Sequence, residues 1–394
     1  MNSKNARPYD LVLFGATGFV GELTARRLAL RAPADCRWAL AGRSRAKLEA
    51  LRDRLSAEHP GCASLPLVVA DAADPASMRE LAESTRAVAT TVGPYVWYGE
   101  ALVAACAEAG THYADLTGEP EFIDSMFVRH DARARETGAR LVHACGFDSI
   151  PADLGAYHMV RQLPEGVPLR VDGFVRSGAM FSGGTFASAL TAMGRGSQTL
   201  RAARARRLHE PRLVGRRAAS PVGIPRFHRE TGTWALPLPT IDGPIVARSA
   251  RALERYGPDF RYRHFASVRT LPMALAGPAV VCAGAALAQI PPVRRRLIDL
   301  VEPGTGPSAE RRARSWFSVR FVGEGGGRRV LTEVTGGDPG YDETAVMLAE
   351  SVLCLALDEL PDTSGQLTTA VAMGDALLER LRSAGLSFRV VHSR

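Results

Sequence analysis

At 394 residues the chain exceeds what one ordinary core organises, and 46% hydrophobic with 23% charged residues is the composition of a folded soluble protein, which excludes a disordered or fibrous chain. The formal net charge is +8 and almost all of the positive charge is arginine: Lys4 and Lys47 are the only lysines, so neither a tyrosine–lysine dyad nor a Schiff-base lysine can be built mid-chain. Cys36, Cys62, Cys106, Cys145, Cys282 and Cys354 are scattered without a CxxC pair or a His/Cys cluster, which argues against a disulfide framework and predicts no metal site. The polar N-terminus reaches an apolar strand without a signal-peptide core, so the expected location is cytoplasmic.

Short apolar runs alternate with helical stretches in the first third. Strands are predicted at Asp10–Phe14, Arg37–Ala41, Leu67–Ala70, Ala87–Thr91, Tyr113–Leu116 and Arg140–Ala144. Helices are predicted at Val20–Ala32, Ser44–Glu58, Ala76–Ala82, Glu100–Ala109 and Ser125–Thr137. Consecutive βαβ units of this kind predict an α/β fold: a Rossmann-type doubly wound parallel sheet whose loops after the strands share one ligand-binding edge. From about Gly155 the pattern loosens, with strands at Leu169–Val175, Arg261–Thr270 and a hairpin of Trp316–Val322 and Arg328–Thr335 turning across Glu324–Gly327. This predicts a second α+β domain with a mixed or antiparallel sheet. Helices near Asp342–Leu357 and Leu367–Ala384 and a strand at Ser387–Val391 close the chain. The expected division is a dinucleotide-binding domain over 1–150, a substrate domain over 151–340, and C-terminal helices over 341–394 packing back on the body.

The first strand runs into Gly15, Ala16, Thr17, Gly18, Phe19, Val20 and Gly21, and a helix starts near Phe19. Gly15 serves the tight turn, Gly18 lets backbone approach a pyrophosphate, and Gly21 lets the helix pack on the sheet; the helix N-terminus then holds the phosphates. The spacing is GxxGxxG, and its place between a strand and a helix gives it force that a bare glycine triplet lacks. After the second strand stands Arg43 with Ser44 and Arg45, where an NAD enzyme usually carries an acid, so the adenine-ribose 2′-phosphate of NADP(H) is the better match. The competing reading is a solvated helix start. Asp71 is placed to contact the adenine or to cap a helix. Gly93 and Pro94, after the fourth strand, either line the path to the nicotinamide or simply form a turn.

These stretches, with Tyr113–Glu119, Gly146–Asp153, Ser182–Thr185 and Gly337–Tyr341, resemble the saccharopine dehydrogenase-like NADP-binding oxidoreductases, and within them the bacterial trans-acting enoyl reductases of polyketide-lipid synthesis. The resemblance implies NADP(H), hydride transfer to the β-carbon of an α,β-unsaturated acyl thioester, and a developing enolate that the protein must stabilise. Proton donors or enolate stabilisers are sought among Tyr95, Tyr98, Asp148 and Ser149; Tyr98 and Asp148 are preferred among the four, and the structural readings, a tyrosine half-buried at a loop and an aspartate capping the helix that begins near Pro151, weigh at least as much. A saccharopine-type dehydrogenase of an amino-acid-like substrate and a non-catalytic NADP(H)-binding membrane scaffold stand as alternatives.

Two further stretches point to partners. Arg201–Arg229 holds nine arginines against the single acid Glu210, which reads as a solvated loop or as a dock for an acidic acyl carrier protein. Nucleic acid is not expected, since no binding motif accompanies the charge. Residues 271–290 carry no charge and precede Arg294–Arg296, which reads as ordinary core, as an acyl-chain groove, or as a helix lying on a membrane as a peripheral contact.

Overall fold

The computed structural model describes residues 7–178, 194–274 and 306–393. Its first part runs β1 (Tyr9–Phe14), α1 (Phe19–Arg31), β2 (Trp38–Gly42), α2 (Arg45–Glu58), β3 (Leu67–Val69), α3 (Pro75–Glu83), β4 (Thr85–Thr90), α4 (Tyr95–Tyr98), α5 (Glu100–Ala109), β5 (His112–Asp115), α6 (Pro120–Thr137) and β6 (Arg140–Val142). Leu11, Val12, Leu13 and Ala39, Leu40, Ala41 are fully buried, the near-continuous apolar run demanded of strands covered on both faces. These six strands and β14 (Gly365–Leu367) form one sheet in the order β14-β6-β5-β4-β1-β2-β3 with every pairing parallel. Strand order reverses between β1 and β4, and that switch opens a crevice at their C-terminal ends.

After α7 (Ile150–Val160), β7 (Leu169–Ser177) starts a second sheet. α8 (Gly196–His209), β8 (Arg217–Ala219), β9 (Arg226–His228), β10 (Thr233–Pro237), α9 (Asp242–Ala252), β11 (Asp259–Val268), α10 (Ala309–Ala313), β12 (Phe317–Gly325) and β13 (Arg328–Gly336) follow. The sheet order is β15-β13-β12-β7-β11-β10-β9, with β15 at Ser387–Ser393 and β8 beside β11. β7 and β8 run parallel to β11 and the other pairings are antiparallel, so the sheet is mixed, as expected. The β12–β13 hairpin turns on Gly326 and Gly327, both with positive φ.

The last stretch joins both sheets. α11 (Asp342–Leu357) packs along α1 and across β1, β4 and β5 with Ala345–Ala356 all buried. β14 then extends the first sheet, while β15 extends the second. The single helix expected over 367–384 is instead the end of β14, the short α12 (Thr369–Ala372) and α13 (Gly374–Ser383). The Asp153 carboxylate accounts for this: it accepts from the Thr369 hydroxyl (2.7 Å) and the Ala370 N–H (2.8 Å), which pins a new helix start. The motif segments Ser182–Thr185 and most of 271–296 lie outside the described residues. Among the described residues, no helix is long and apolar enough to cross a membrane.

Candidate active site

The crevice is built first from glycines. Gly15 has φ +83°, a conformation that side chains rarely adopt, and a Cβ there would lie 2.7 Å from the Thr91 hydroxyl. A Cβ on Gly21 would lie 2.2 Å from the Gly15 carbonyl oxygen, so α1 can sit against the turn only without one. Thr91 locks the turn to the end of β4 by donating to the Gly15 carbonyl (3.0 Å). Gly18 is different: a Cβ there would find only ordinary contact at 3.5 Å, so nothing in the chain itself demands glycine. Gly18 is also the N-cap of α1 and supplies no side-chain cap, leaving the helix's first N–H groups with the orientation and partial positive charge that suit a pyrophosphate. Ala16 is buried under the turn, and Thr17 and Val20 stand beside it. Phe19 packs edge-on against Tyr341 (5.0 Å) beneath the Arg312 guanidinium (5.4 Å), and this is how the Gly337–Tyr341 segment reaches the crevice.

Arg43 is exposed at the end of β2 and makes no ion pair among the described residues, whereas Arg45 is held by Glu49 (3.1 Å). Ser44 caps α2 by accepting from the Lys47 N–H (3.4 Å), which leaves its hydroxyl proton available to an acceptor such as a phosphate oxygen. Asp71 is exposed and ties its own turn, accepting from the Ala73 N–H (3.0 Å); the cap of α3 is Asp74.

At the end of β4, Gly93 is exposed and Pro94 caps α4. α4 is held from below by Glu119, whose carboxylate accepts from the N–H groups of Tyr95 (3.1 Å) and Val96 (2.8 Å). Tyr95 is buried, with its hydroxyl donating to the Thr90 carbonyl and accepting from the Leu116 N–H, both at 3.1 Å. Burial also raises its pKa well above the usual range, so the structure makes Tyr95 a strut and not a proton donor. Tyr98 is 48% exposed beside Trp97, 60% exposed, over which Arg195 stacks at 5.0 Å while pairing with Glu121 (2.7 Å).

Asp148 lies in the loop between β6 and α7. Its Oδ2 would be 3.1 Å from a Cβ on Gly118, so the glycine leaves room for the carboxyl between the loops after β5 and β6. Burial raises this carboxyl to about 7, and the neighbouring Asp242 carboxyl adds to the rise. Asp242, at the start of α9, is likewise raised to about 7 by burial, against the opposing effect of the Thr240 hydroxyl that donates to it. His264 Nε2 is 3.6 Å from Asp242, and burial lowers this imidazole to about 3, so it carries no charge at neutral pH. An acid that stays partly protonated near neutrality is the group a proton-delivering step needs. Asp148 does not cap α7; Ser149 occupies that position, and its buried hydroxyl has no partner among the described residues.

Sequence reasoning missed His143 and passed over Asp115 within the Tyr113–Glu119 motif. His143 Nδ1 lies 2.7 Å from Asp115 Oδ2 in the core, at the ends of β6 and β5. No local pattern announces this pair, because its members are 28 residues apart.

Six of the nine arginines of 201–229 fall into two groups. Arg206 is buried against Phe127 and tied to Glu210 and Asp124; Arg216 donates to the carbonyls of Ala250, Leu253 and Gly257; Arg226 pairs with Asp172. These three hold elements together. Arg201, Arg204 and Arg207 are exposed on α8 with Leu200 (63% exposed) and Leu208 (86% exposed), at positions that share one helical face.

Residues 11–142 match the family model of the saccharopine dehydrogenase NADP-binding domain. The overall fold is that of the L-Glu-forming saccharopine dehydrogenase of Saccharomyces cerevisiae, with a TM-score of 0.56 over 97% of this chain and 99% of that one, at 13% identity. The protein is thus an NADP(H)-dependent oxidoreductase with a Rossmann-type domain. Full-length likeness narrows the class. A Mycobacterium tuberculosis protein is 42% identical over 415 residues, with 97% of each chain covered. The trans-acting enoyl reductase of Mycobacterium ulcerans is 39% identical over 415 residues and 98% of each chain, and that of Mycobacterium bovis BCG is 38% identical over 411 residues, 96% of this chain and 97% of its own. The chain belongs to the trans-acting enoyl reductase family.

Proposed function

We propose that the protein reduces the double bond of an α,β-unsaturated acyl thioester with NADPH, acting in trans on an acyl chain built by a separate synthase. The single observation that carries this reading is the end-to-end likeness, at 38–42% identity, to relatives of that family, including two named trans-acting enoyl reductase. The cofactor supplies a hydride for the β-carbon. The rest of the step falls to this chain. The first turn of α1, with Gly15–Gly21, holds the pyrophosphate; Arg43 and Ser44 hold the 2′-phosphate; Asp71 borders the adenine; Gly93 and Pro94 border the nicotinamide. Hydride addition drives the former π pair onto the α-carbon and thioester oxygen, and Asp148, protonated at and below about pH 7, delivers the proton that ends on the α-carbon. Tyr98, half exposed on α4, serves as the enolate's hydrogen-bond donor.

Offering the purified protein NADPH with medium- and long-chain enoyl thioesters, and with saccharopine-type amino acids alongside, tests the reading. Turnover confined to the thioesters supports it; turnover confined to the amino acids overturns it. The exposed basic and apolar face of α8 fits an acidic acyl carrier protein, and turnover of a carrier-bound substrate that ignores salt would rule that out. Contact of 271–296 with a membrane rests on sequence alone, and retention of all the protein in the supernatant after low-salt fractionation would count against it.

A further inference from the structure

At the β6–β14 side of the first sheet lies a cavity of about 220 Å³, bounded by α6, α8, α9 and the end of β14. Ile123, Phe127, Ile245 and Val371 give it apolar walls, and His143 and Gln366 are among the polar side chains that line it. Both are more than nine-tenths buried. His143 is fixed from behind: Asp115 accepts from its Nδ1–H, from the Tyr113 hydroxyl (2.9 Å), and from the N–H groups of Thr117 (3.0 Å) and Ala144 (2.9 Å). In the neutral imidazole, Nδ1 as donor to the carboxylate leaves Nε2 with a lone pair, and Nε2 has no partner among the described residues. Gln366 donates its amide N–H to the Ile123 carbonyl (3.0 Å), which fixes the amide's orientation and leaves Oε1 as a second buried acceptor without a partner among the described residues. Ala144, directly after His143, holds φ +59°, a strained conformation for a residue with a side chain, and its N–H is spent on Asp115. Buried acceptors left unmet are costly, and strain of this kind persists where a site requires it.

We propose that this cavity receives the amide arm through which a carrier holds the acyl thioester, a pantetheine-type group whose amide N–H and hydroxyl donors meet His143 Nε2 and Gln366 Oε1 while its aliphatic body lies against the apolar walls. The inference rests on the enoyl reductase reading and goes beyond it by naming how the substrate is gripped. Position agrees: β6 is two strands from β4, roughly 10 Å across the sheet, a distance such an arm spans. Charge agrees as well. Arg206, Arg248 and Arg251 share the two carboxylates of Asp124 and Glu210 at the cavity wall, and the one positive charge left over suits the phosphate that ends the arm.

The same enoyl group presented on pantetheine and on N-acetylcysteamine separates the two claims. The expected result is a kcat/KM about tenfold higher with pantetheine, two added hydrogen bonds being enough for that. The preference should shrink toward unity in Gln366→Leu and in His143→Phe, through loss of kcat/KM on the pantetheine thioester. Equal kcat/KM for the two thioesters in the wild type, or an undiminished preference in Gln366→Leu, overturns the arm site while leaving the reductase reading intact. Should neither thioester react, the reductase reading fails, and calorimetry with pantetheine alone decides the cavity: binding lost in Gln366→Leu supports it, and no binding to the wild type overturns it.

Discussion

Two ends of one sheet edge are built by opposite means. At the β1–β4 end the crevice consists of backbone: a left-handed Gly15, a helix start without a side-chain cap, and a Gly21 whose neighbour is a carbonyl oxygen. At the β5–β6 end the work is done by buried side chains, with Asp115 gathering four donors and Asp153 clamping α7 to α9 and α12. A backbone cradle suits a ligand recognised by its phosphates, and at Gly15 and Gly21 it tolerates nothing bulkier than glycine. A side-chain cluster suits a ligand recognised by hydrogen bonds, and it fails when a single polar atom is removed.

The largest effect expected from breaking this contrast is at Gly21. Gly21→Val forces α1 away from the turn, so NADPH binding is lost and stability falls by about 1–3 kcal/mol; fluorescence titration and thermal unfolding would read both. Asp148→Asn comes next. It removes the proton donor without removing the cradle, so kcat drops about 100-fold while the Kd for NADPH holds. The sign of the pH dependence follows from the raised carboxyl: the active form is protonated, so wild-type kcat is greatest on the acid side and declines as pH rises through about 7, and the variant loses that decline. An unaltered pH profile in the variant would move the proton elsewhere. Asp115→Asn leaves donors unmet in the core and should cost about 1–3 kcal/mol in thermal unfolding with NADPH affinity retained, which is the converse of Gly21→Val. Arg43→Asp should shift preference from NADPH toward NADH by about tenfold, the weight of one charge-assisted contact at an exposed site. The smallest effect belongs to the α8 face: Arg204→Glu should slow only carrier-bound substrate, and only at low salt.

The same contrast explains what the sequence made legible. Glycine spacing after an apolar strand is a local pattern, so Gly15, Gly18 and Gly21 and the doubly wound sheet could be read from the first forty residues together with the βαβ alternation. The mixed second sheet followed from its hairpin and its irregular strands. The pairing of β14 with β6 could not be read, because a three-residue strand ahead of two helices looks like a helix start. His143, Gln366 and Asp242 also escaped, since each gains its meaning from partners distant in the chain: Asp115, Ile123 and His264. Tyr95, a candidate not preferred from the sequence, is set aside for the reverse reason. Its place after β4 is that of a reactive group, but its hydroxyl is spent on Thr90 and Leu116.

The most direct test follows the two hydrogens. With NADPH carrying deuterium at the transferred position and an enoyl thioester in ordinary water, mass spectrometry of the product should find one deuterium at the β-carbon and a solvent-derived hydrogen at the α-carbon. Deuterium at the α-carbon, or none in the acyl chain while NADPH is consumed, would contradict the proposed reduction.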